Sequence, residues 1–177
     1  MSLKEQFTLL ANYNQWMNIK VYAAASALDA GELSRERGAF FGSIFGTLNH
    51  ILVGDIIWLK RFAAHPNLSA SLDEVAALDN PRGLDHCMFD DSAALAERRA
   101  WLDERIIVWT GGLTEHHMDL VIIYHNTQGV AANRRFSSLL LHFFNHQTHH
   151  RGQVSTLLHQ AGADIGVTDL LAQIPLE

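Results

Sequence analysis

Four stretches of the chain carry apolar residues at alternating steps of three and four, which is the spacing of one face of an amphipathic helix. They cover Phe7 to Leu28, about Phe41 to Ala64, Ala93 to Trp109 and about Arg135 to Gln160. Proline or glycine, which interrupt helices, follow the last three stretches at His65-Pro66, Gly111-Gly112 and Gly162. The pattern therefore predicts four long helices.

The second stretch is apolar over most of its circumference, which predicts a central position in the fold. Polar and charged residues interrupt it and disfavour a membrane span, namely Asn49, His50, Asp55, Lys60 and Arg61. The N-terminal residues Met1 to Gln6 lack the apolar run of a secretory signal, so a cytoplasmic location is expected.

The segments between the stretches complete the predicted fold. Val121 to Ile123 is β-branched and is followed by the turn signal Asn126 to Gly129 and a weaker run from Val130 to Asn133, which predicts a small β-hairpin. Between Asn67 and Phe89 the pattern weakens to one short helix at most. We expect one all-α domain over residues 1–177, a four-helix bundle with a long crossover and a β-hairpin before the last long helix.

The composition agrees with a single compact domain and excludes some classes of function and site. The 177 residues include 12 Gly, 3 Pro and 18% charged residues. A formal charge of −6 argues against a binder of nucleic-acid phosphates. Cys87 is the single cysteine, which excludes an internal disulfide or a multi-cysteine zinc cluster, and we interpret it as an incidental thiol. Histidine is the unusual residue, with eleven copies.

Four of these histidines lie close together in the fourth helix, at positions 142, 146, 149 and 150. His146 and His150 are one turn apart on one face, a spacing at which two imidazoles can reach one ion. His142 and His150 are roughly 12 Å apart along the axis, too far for one ion with bonds of about 2.1 Å to bind all three. The apolar stripe turns His146 and His150 inward, and His142 and His149 fall on an adjoining stripe that faces solvent or a partner.

A third ligand is available in the second helix. A catalytic zinc-type site has three protein ligands and an open position, and His50 is the only histidine inside another long helix. Gly54, one turn further, would let a neighbouring backbone or ligand approach closely. Asp55 lies about 140° around the helix from His50, so we do not expect the two to pair. The alternative is that these histidines are hydrogen-bonded core residues without a metal.

Two further sets of polar residues lie on the predicted helices. Asn14 is the polar member of the apolar face of the first helix, where it either satisfies a buried group and fixes the packing or lines the metal pocket. The third helix has candidate N-caps at Asp90 to Ser92. Its outer face is expected to carry Glu97, Arg98, Asp103 and Glu104.

Three segments together resemble the DinB family, within the DinB/YfiT-like metalloenzyme superfamily. They are Tyr13 to Asn18, Leu48 to Arg61 and His142 to Val154, and the similarity continues to Gly166 to Leu171. The resemblance implies an up-down-down-up four-helix bundle, often a homodimer, with a divalent metal held by one histidine of the second helix and two of the last. By position these are His50, His146 and His150, the same residues that the stripes favour.

The resemblance also implies classes of activity. Members of the wider superfamily are thiol-dependent S-transferases or isomerases, and others are described as metal-dependent hydrolases. Our leading hypothesis is a metalloenzyme with Zn²⁺ or Ni²⁺ that ionises a low-molecular-weight thiol. Asn14, Trp58 and Arg61 are candidate substrate-pocket residues.

Two rival functions remain open at this point. Hydrolysis by a metal-activated water is one, although no glutamate follows His146 as it would in a His-Glu-x-x-His enzyme. A non-catalytic metal-binding or stress-response protein, with His142 and His149 on a dimer face, is the other. In every case we expect a small-molecule partner or a second copy of the chain, and neither nucleic acid nor membrane.

Overall fold

A computed structural model describes residues 1–176 and contains four long helices, which are α1 (Leu3–Ser26), α3 (Ile44–Ala63), α5 (Ser92–Gly112) and α6 (Phe136–Gln160). The short helices α2 (Ala30–Ser34) and α4 (Asp73–Ala76) lie in the connections, and 3-10 turns cover Glu115–Asp119 and Leu170–Gln173. The strands β1 (Val121–His125) and β2 (Ala131–Arg135) pair antiparallel just before α6. The predicted all-α bundle with its hairpin is therefore confirmed.

Side-chain caps fix where three of the long helices begin. Ser2 and Glu5 form a capping box, so α1 begins four residues before the predicted Phe7. Ser43 accepts from the amide of Gly46 at the start of α3, and Asp91 accepts from Ala94 at the start of α5. Asp91 is thus the N-cap among the three predicted candidates.

The helix directions follow from contacts made at two levels of each pair. α1 is parallel to α6, α3 is antiparallel to α6, and α5 is parallel to α3. Between α1 and α6, Phe7 contacts Phe144 and Asn14 contacts Arg151. Between α3 and α6, His50 contacts His150 and Trp58 contacts His142. Between α3 and α5, Asp55 contacts Arg99 and Phe62 contacts Trp109. These directions give the up-down-down-up order.

An aromatic cluster closes the end of the bundle where α3 finishes. The ring of Phe62 stacks on Trp109 and meets Phe136 edge-on, each at 5.3 Å between ring centroids. The hairpin packs beside this end through Ile122, which is buried. Within residues 1–176, no helix is both long and apolar enough to span a membrane.

Candidate metal centre

Antiparallel packing of α3 and α6 brings three histidines side by side. His50 lies in the second turn of α3, and His146 and His150 lie one turn apart on α6. The Nε2 atom of His50 is 3.1 Å from Nε2 of His146 and 3.2 Å from Nε2 of His150. The three histidines predicted as ligands thus meet at one point, where each offers one ligand atom.

The outer nitrogens of two of these rings show where their protons lie. His50 Nδ1 is 2.8 Å from the carbonyl oxygen of Leu84, which accepts but cannot donate, so Nδ1 carries the hydrogen. His150 Nδ1 is 2.8 Å from Oε1 of Gln153, whose amide nitrogen is turned toward His149. In the neutral rings both Nε2 atoms then carry a lone pair, and they lie 3.2 Å apart with no proton between them. A cation at this point removes that repulsion.

The arrangement fits a divalent ion. Two nitrogens that each lie about 2.1 Å from one ion at a tetrahedral angle are about 3.4 Å apart, close to the separations observed. Imidazole suits Zn²⁺, Ni²⁺, Cu²⁺ and iron alike, so the donor set agrees with several metals. A hydrogen bond on the outer nitrogen of a ligand imidazole, as on His50 and His150, is the usual support for such a site.

Burial keeps the three imidazoles uncharged near neutral pH. It lowers the pKa of His50 and of His150, against an opposing hydrogen bond to Leu84 in one case and to Gln153 in the other. Burial, reinforced by the neighbouring imidazoles, lowers the pKa of His146 to about 3. Because only the neutral imidazole has a free lone pair, all three rings are able to bind a metal at pH 7.

Gly54 gives the ring of His146 its space. A Cβ atom at position 54 would lie 2.6 Å from Cε1 of His146, closer than side-chain carbons approach one another. The sequence predicts a close approach at Gly54, and the structure shows that the neighbour is the imidazole of His146.

We expect Gly54→Ala to displace the His146 imidazole and to lower metal affinity by about tenfold or more. Competition with a chromophoric chelator measures the change. Gly152→Ala is the matched control, because Gly152 is also inside a helix and a Cβ there meets nothing within 4 Å. Equal metal affinity in the two variants would contradict this assignment of Gly54.

Phe41 covers one side of the histidine cluster. Its ring stacks on that of His50, with 3.7 Å between centroids and 16° between planes, and meets His150 edge-on at 5.6 Å. Phe41 lies in the loop before α3, three residues ahead of the helix. Sequence reasoning gave no signal for this role, because the position of a loop aromatic depends on tertiary contacts.

A cavity of about 270 Å³ opens on another side of the cluster. His50 and His146 line it together with Trp58 and Arg61, two of the three predicted pocket residues. His142, expected on a solvent or partner stripe, also lines this cavity, where its ring lies 5.2 Å from that of Trp58. From the hairpin, β1 and its turn contribute Tyr124, Asn126 and Thr127.

Asn14, the third predicted pocket residue, lies elsewhere, in a buried polar network. It is fully buried, donates to Asp103 at 2.9 Å and accepts from Arg151. Asn18 donates to the same carboxylate. Both the amide nitrogen and the amide oxygen of Asn14 are therefore engaged within the bundle, which agrees with a role in fixing the packing.

The prediction that Asp103 lies on the outer face of the third helix is wrong. Asp103 is 2% exposed, and Arg99, one turn earlier, pairs with it at 2.8 Å. The carboxylate is buried because Arg99 and the amides of α1 supply the partners that it would otherwise find in water.

Asp55 joins the network to the two ligand-bearing helices. As expected it does not pair with His50; it accepts from Arg99 at 2.5 Å and from Gln147 at 2.8 Å. Burial raises the pKa of Asp55 to about 6, although the Arg99 guanidinium acts in the opposite direction. Gln147 follows His146 directly in α6, so this contact helps to fix the rotation of α6 against α3.

Comparisons with known proteins show the family to which the chain belongs. The sequence model of the DinB family matches residues 1–177. Protein DinB of Bacillus subtilis (strain 168) is 26% identical over 160 residues, which cover 90% of this chain and 88% of that protein. No solved structure matches the chain. With its full length matched, the chain belongs to the DinB family.

Proposed function

We propose that the protein is a thiol-dependent S-transferase or isomerase in which His50, His146 and His150 hold one divalent ion, Zn²⁺ or Ni²⁺. The observation that carries the proposal is the convergence of three Nε2 atoms beside an open cavity. A low-molecular-weight thiol is one substrate and a second small molecule the other. We take a cytoplasmic homodimer as the working form.

The chain's own residues orient the site and shape access to it. A divalent ion held by three imidazoles supplies a charge that lowers the pKa of a thiol or water in its open position. The Leu84 carbonyl and Gln153 hold two of the rings with their lone pairs inward. Phe41 covers one side of the cluster, and the cavity leaves another side open to a substrate.

The side chains around the cavity favour a thiol over water as the nucleophile. Gln147 stands where a His-Glu-x-x-His enzyme has its general base, and its amide is bound to Asp55. Within the described chain, no Asp or Glu lines the cavity. A thiol ionised near neutral pH needs no such base: its proton passes to solvent, its sulfur bonds to the electrophilic carbon, and the leaving group departs with its electron pair.

Hydrolysis is the second candidate, and His142 is the observation that favours it. This imidazole lines the same cavity as His50 and His146, where it would serve as the base that the missing glutamate does not supply. His142→Gln separates the two reactions. It should leave thiol transfer largely intact and abolish hydrolysis if hydrolysis is the natural activity.

The test incubates the metal-loaded protein with a panel of cellular thiols and the generic electrophile 1-chloro-2,4-dinitrobenzene, and it follows conjugate formation by absorbance. We expect at least one thiol to react above background in a metal-dependent way. His146→Ala should return the rate to background, because it removes a proposed ligand. If no thiol is conjugated in a metal-dependent way, and the protein hydrolyses an ester in a reaction that requires His142, the transferase proposal is wrong and the hydrolase is the better assignment.

A further inference from the structure

A second cavity adjoins the one beside the histidines. It has a volume of about 470 Å³, and Ile57, Arg61 and Tyr124 line both cavities. The two cavities therefore meet at these three side chains. The border between the cavities thus consists of the apolar side chain of Ile57, the aromatic ring of Tyr124 and the guanidinium of Arg61.

The charge of the combined lining is opposite to that of the chain. The sequence has 19 acidic and 13 basic residues, yet among the described residues that line either cavity there is no Asp or Glu. Lys60 and Arg61 are the basic residues there. The ammonium group of Lys60 donates to the carbonyl oxygens of Ala76 and Leu78 and lines only the larger cavity, so Arg61 is the cation that borders the histidine cavity.

Arg61 is held in place and most of its donors are unused. Its guanidinium carbon lies 4.6 Å from the ring centroid of Trp58 and 5.1 Å from that of Tyr124. One of its five N–H groups donates to the carbonyl of His125 at 2.9 Å. No Asp or Glu of residues 1–176 forms an ion pair with it. A planar fork that packs against two neighbouring aromatic rings is suited to a carboxylate.

The position of Arg61 indicates where an acidic group of the substrate would lie. His50 and Arg61 are eleven residues apart in α3, or about 16 Å along the axis. Helical side chains lean toward the N-terminus of the helix, so the long arginine reaches back toward His50, as its contact with Trp58 shows. An acidic group bound by Arg61 would then lie at the edge of the histidine cavity, which Arg61 also lines.

We propose that Arg61 is a specificity residue that binds a carboxylate of the substrate at the border of the two cavities. The inference rests on the proposed function for the reaction itself, but the binding of the carboxylate is independent of it. The acidic group belongs either to the thiol or to the electrophile, and matched reagents distinguish the two.

The first test measures binding without catalysis. N-acetyl-S-methylcysteine, an unreactive thioether acid, and its neutral amide are titrated into the metal-free protein, where no ion can attract the carboxylate. We expect the acid to bind better than the amide. Arg61→Gln should weaken the binding of the acid by about tenfold to a hundredfold and leave the affinity for the amide unchanged.

Arg98→Gln is the matched control, because Arg98 also stacks on an aromatic ring, that of Trp101, but lines neither cavity. It should change neither affinity. Equal binding of acid and amide to the wild type, or equal loss in the Arg61 and Arg98 variants, would overturn the proposal.

The second test identifies which substrate carries the acid. Conjugation is compared for N-acetylcysteine and its amide, and separately for 4-chloro-3-nitrobenzoate and its methyl ester. In one of the two pairs, Arg61→Gln should raise KM for the acid and not for the neutral partner. If no thiol is conjugated but the acid still binds better than the amide in a way that requires Arg61, the proposed transferase activity is wrong and the proposed carboxylate site is supported. Conjugation without any preference for acids would instead support the transferase and overturn the carboxylate site.

Discussion

His50→Ala and His146→Ala are each expected to lose stoichiometric metal. Each change removes one of three imidazoles that converge on one point, with Nε2 of His146 and of His150 within 3.2 Å of Nε2 of His50. Loss of a group that merely orients a ligand costs about tenfold to a hundredfold in metal affinity, so loss of a ligand itself should cost at least about a hundredfold. Metal analysis of the purified variants by plasma mass spectrometry measures the effect.

His159→Ala is the control for this experiment. His159 is an exposed histidine of the same helix α6, placed in its last turn away from the cluster. It should retain one equivalent of metal, as we expect of the unmodified protein. One full equivalent retained by both His50→Ala and His146→Ala would contradict the three-histidine site.

Arg99→Leu is expected to destabilise the protein by about 3–5 kcal/mol at neutral pH, because it leaves buried carboxylates without their cation. Arg99 is 2% exposed and is shared by Asp55 on α3 and Asp103 on its own helix. Urea unfolding gives the free energy of unfolding directly.

The pH dependence of this variant provides a further check. Burial already raises the pKa of Asp55 from 3.8 to about 6, and loss of the opposing arginine should raise it further. A carboxyl whose pKa is raised in the folded state contributes most below its unfolded pKa, and that contribution is lost as pH rises through the folded value. The stability deficit of Arg99→Leu should therefore be smaller at pH 5 than at pH 7.5.

Arg98→Leu is the neighbouring control, since Arg98 is only partly buried and packs on Trp101. It should cost less than about 1 kcal/mol. A similar loss of stability in the two variants, with no dependence on pH, would show that the buried network does not join the helices as described.

The helices and the pair His146 and His150 could be predicted because their signals are local, whereas His50 is inferred as the only histidine inside another long helix. Apolar periodicity follows from one helix facing one core, and the spacing of His146 and His150 follows from the helical repeat. The capping box of Ser2 and Glu5 is equally local, and it explains why α1 starts earlier than the apolar stripe suggests.

The buried network could not be predicted in the same way. Asp103 is a charged residue, and such residues are usually exposed unless paired. Its partners Asn14 and Asn18 belong to a helix about 85 residues away in sequence, so no local pattern reveals them. The contacts of Phe41 and Leu84 with His50 could not be predicted for a related reason, because both residues lie in loops whose positions depend on tertiary packing.

Gly54 shows how far a local signal extends. A glycine one turn from His50 in an otherwise apolar helix indicates that something approaches closely there. It does not identify the neighbour, which depends on how α3 and α6 pack. The structure identifies it as the imidazole of His146, so the residue that permits the packing also positions a proposed ligand.

The most direct test of the three-histidine site is anomalous diffraction from crystals grown with zinc, recorded on either side of the zinc absorption edge. We predict one peak bonded to Nε2 of His50, His146 and His150, with a coordination position open toward the cavity that Trp58 and Arg61 line. A zinc peak held by other residues, or no peak between these three imidazoles in protein that contains one equivalent of metal, would contradict the account.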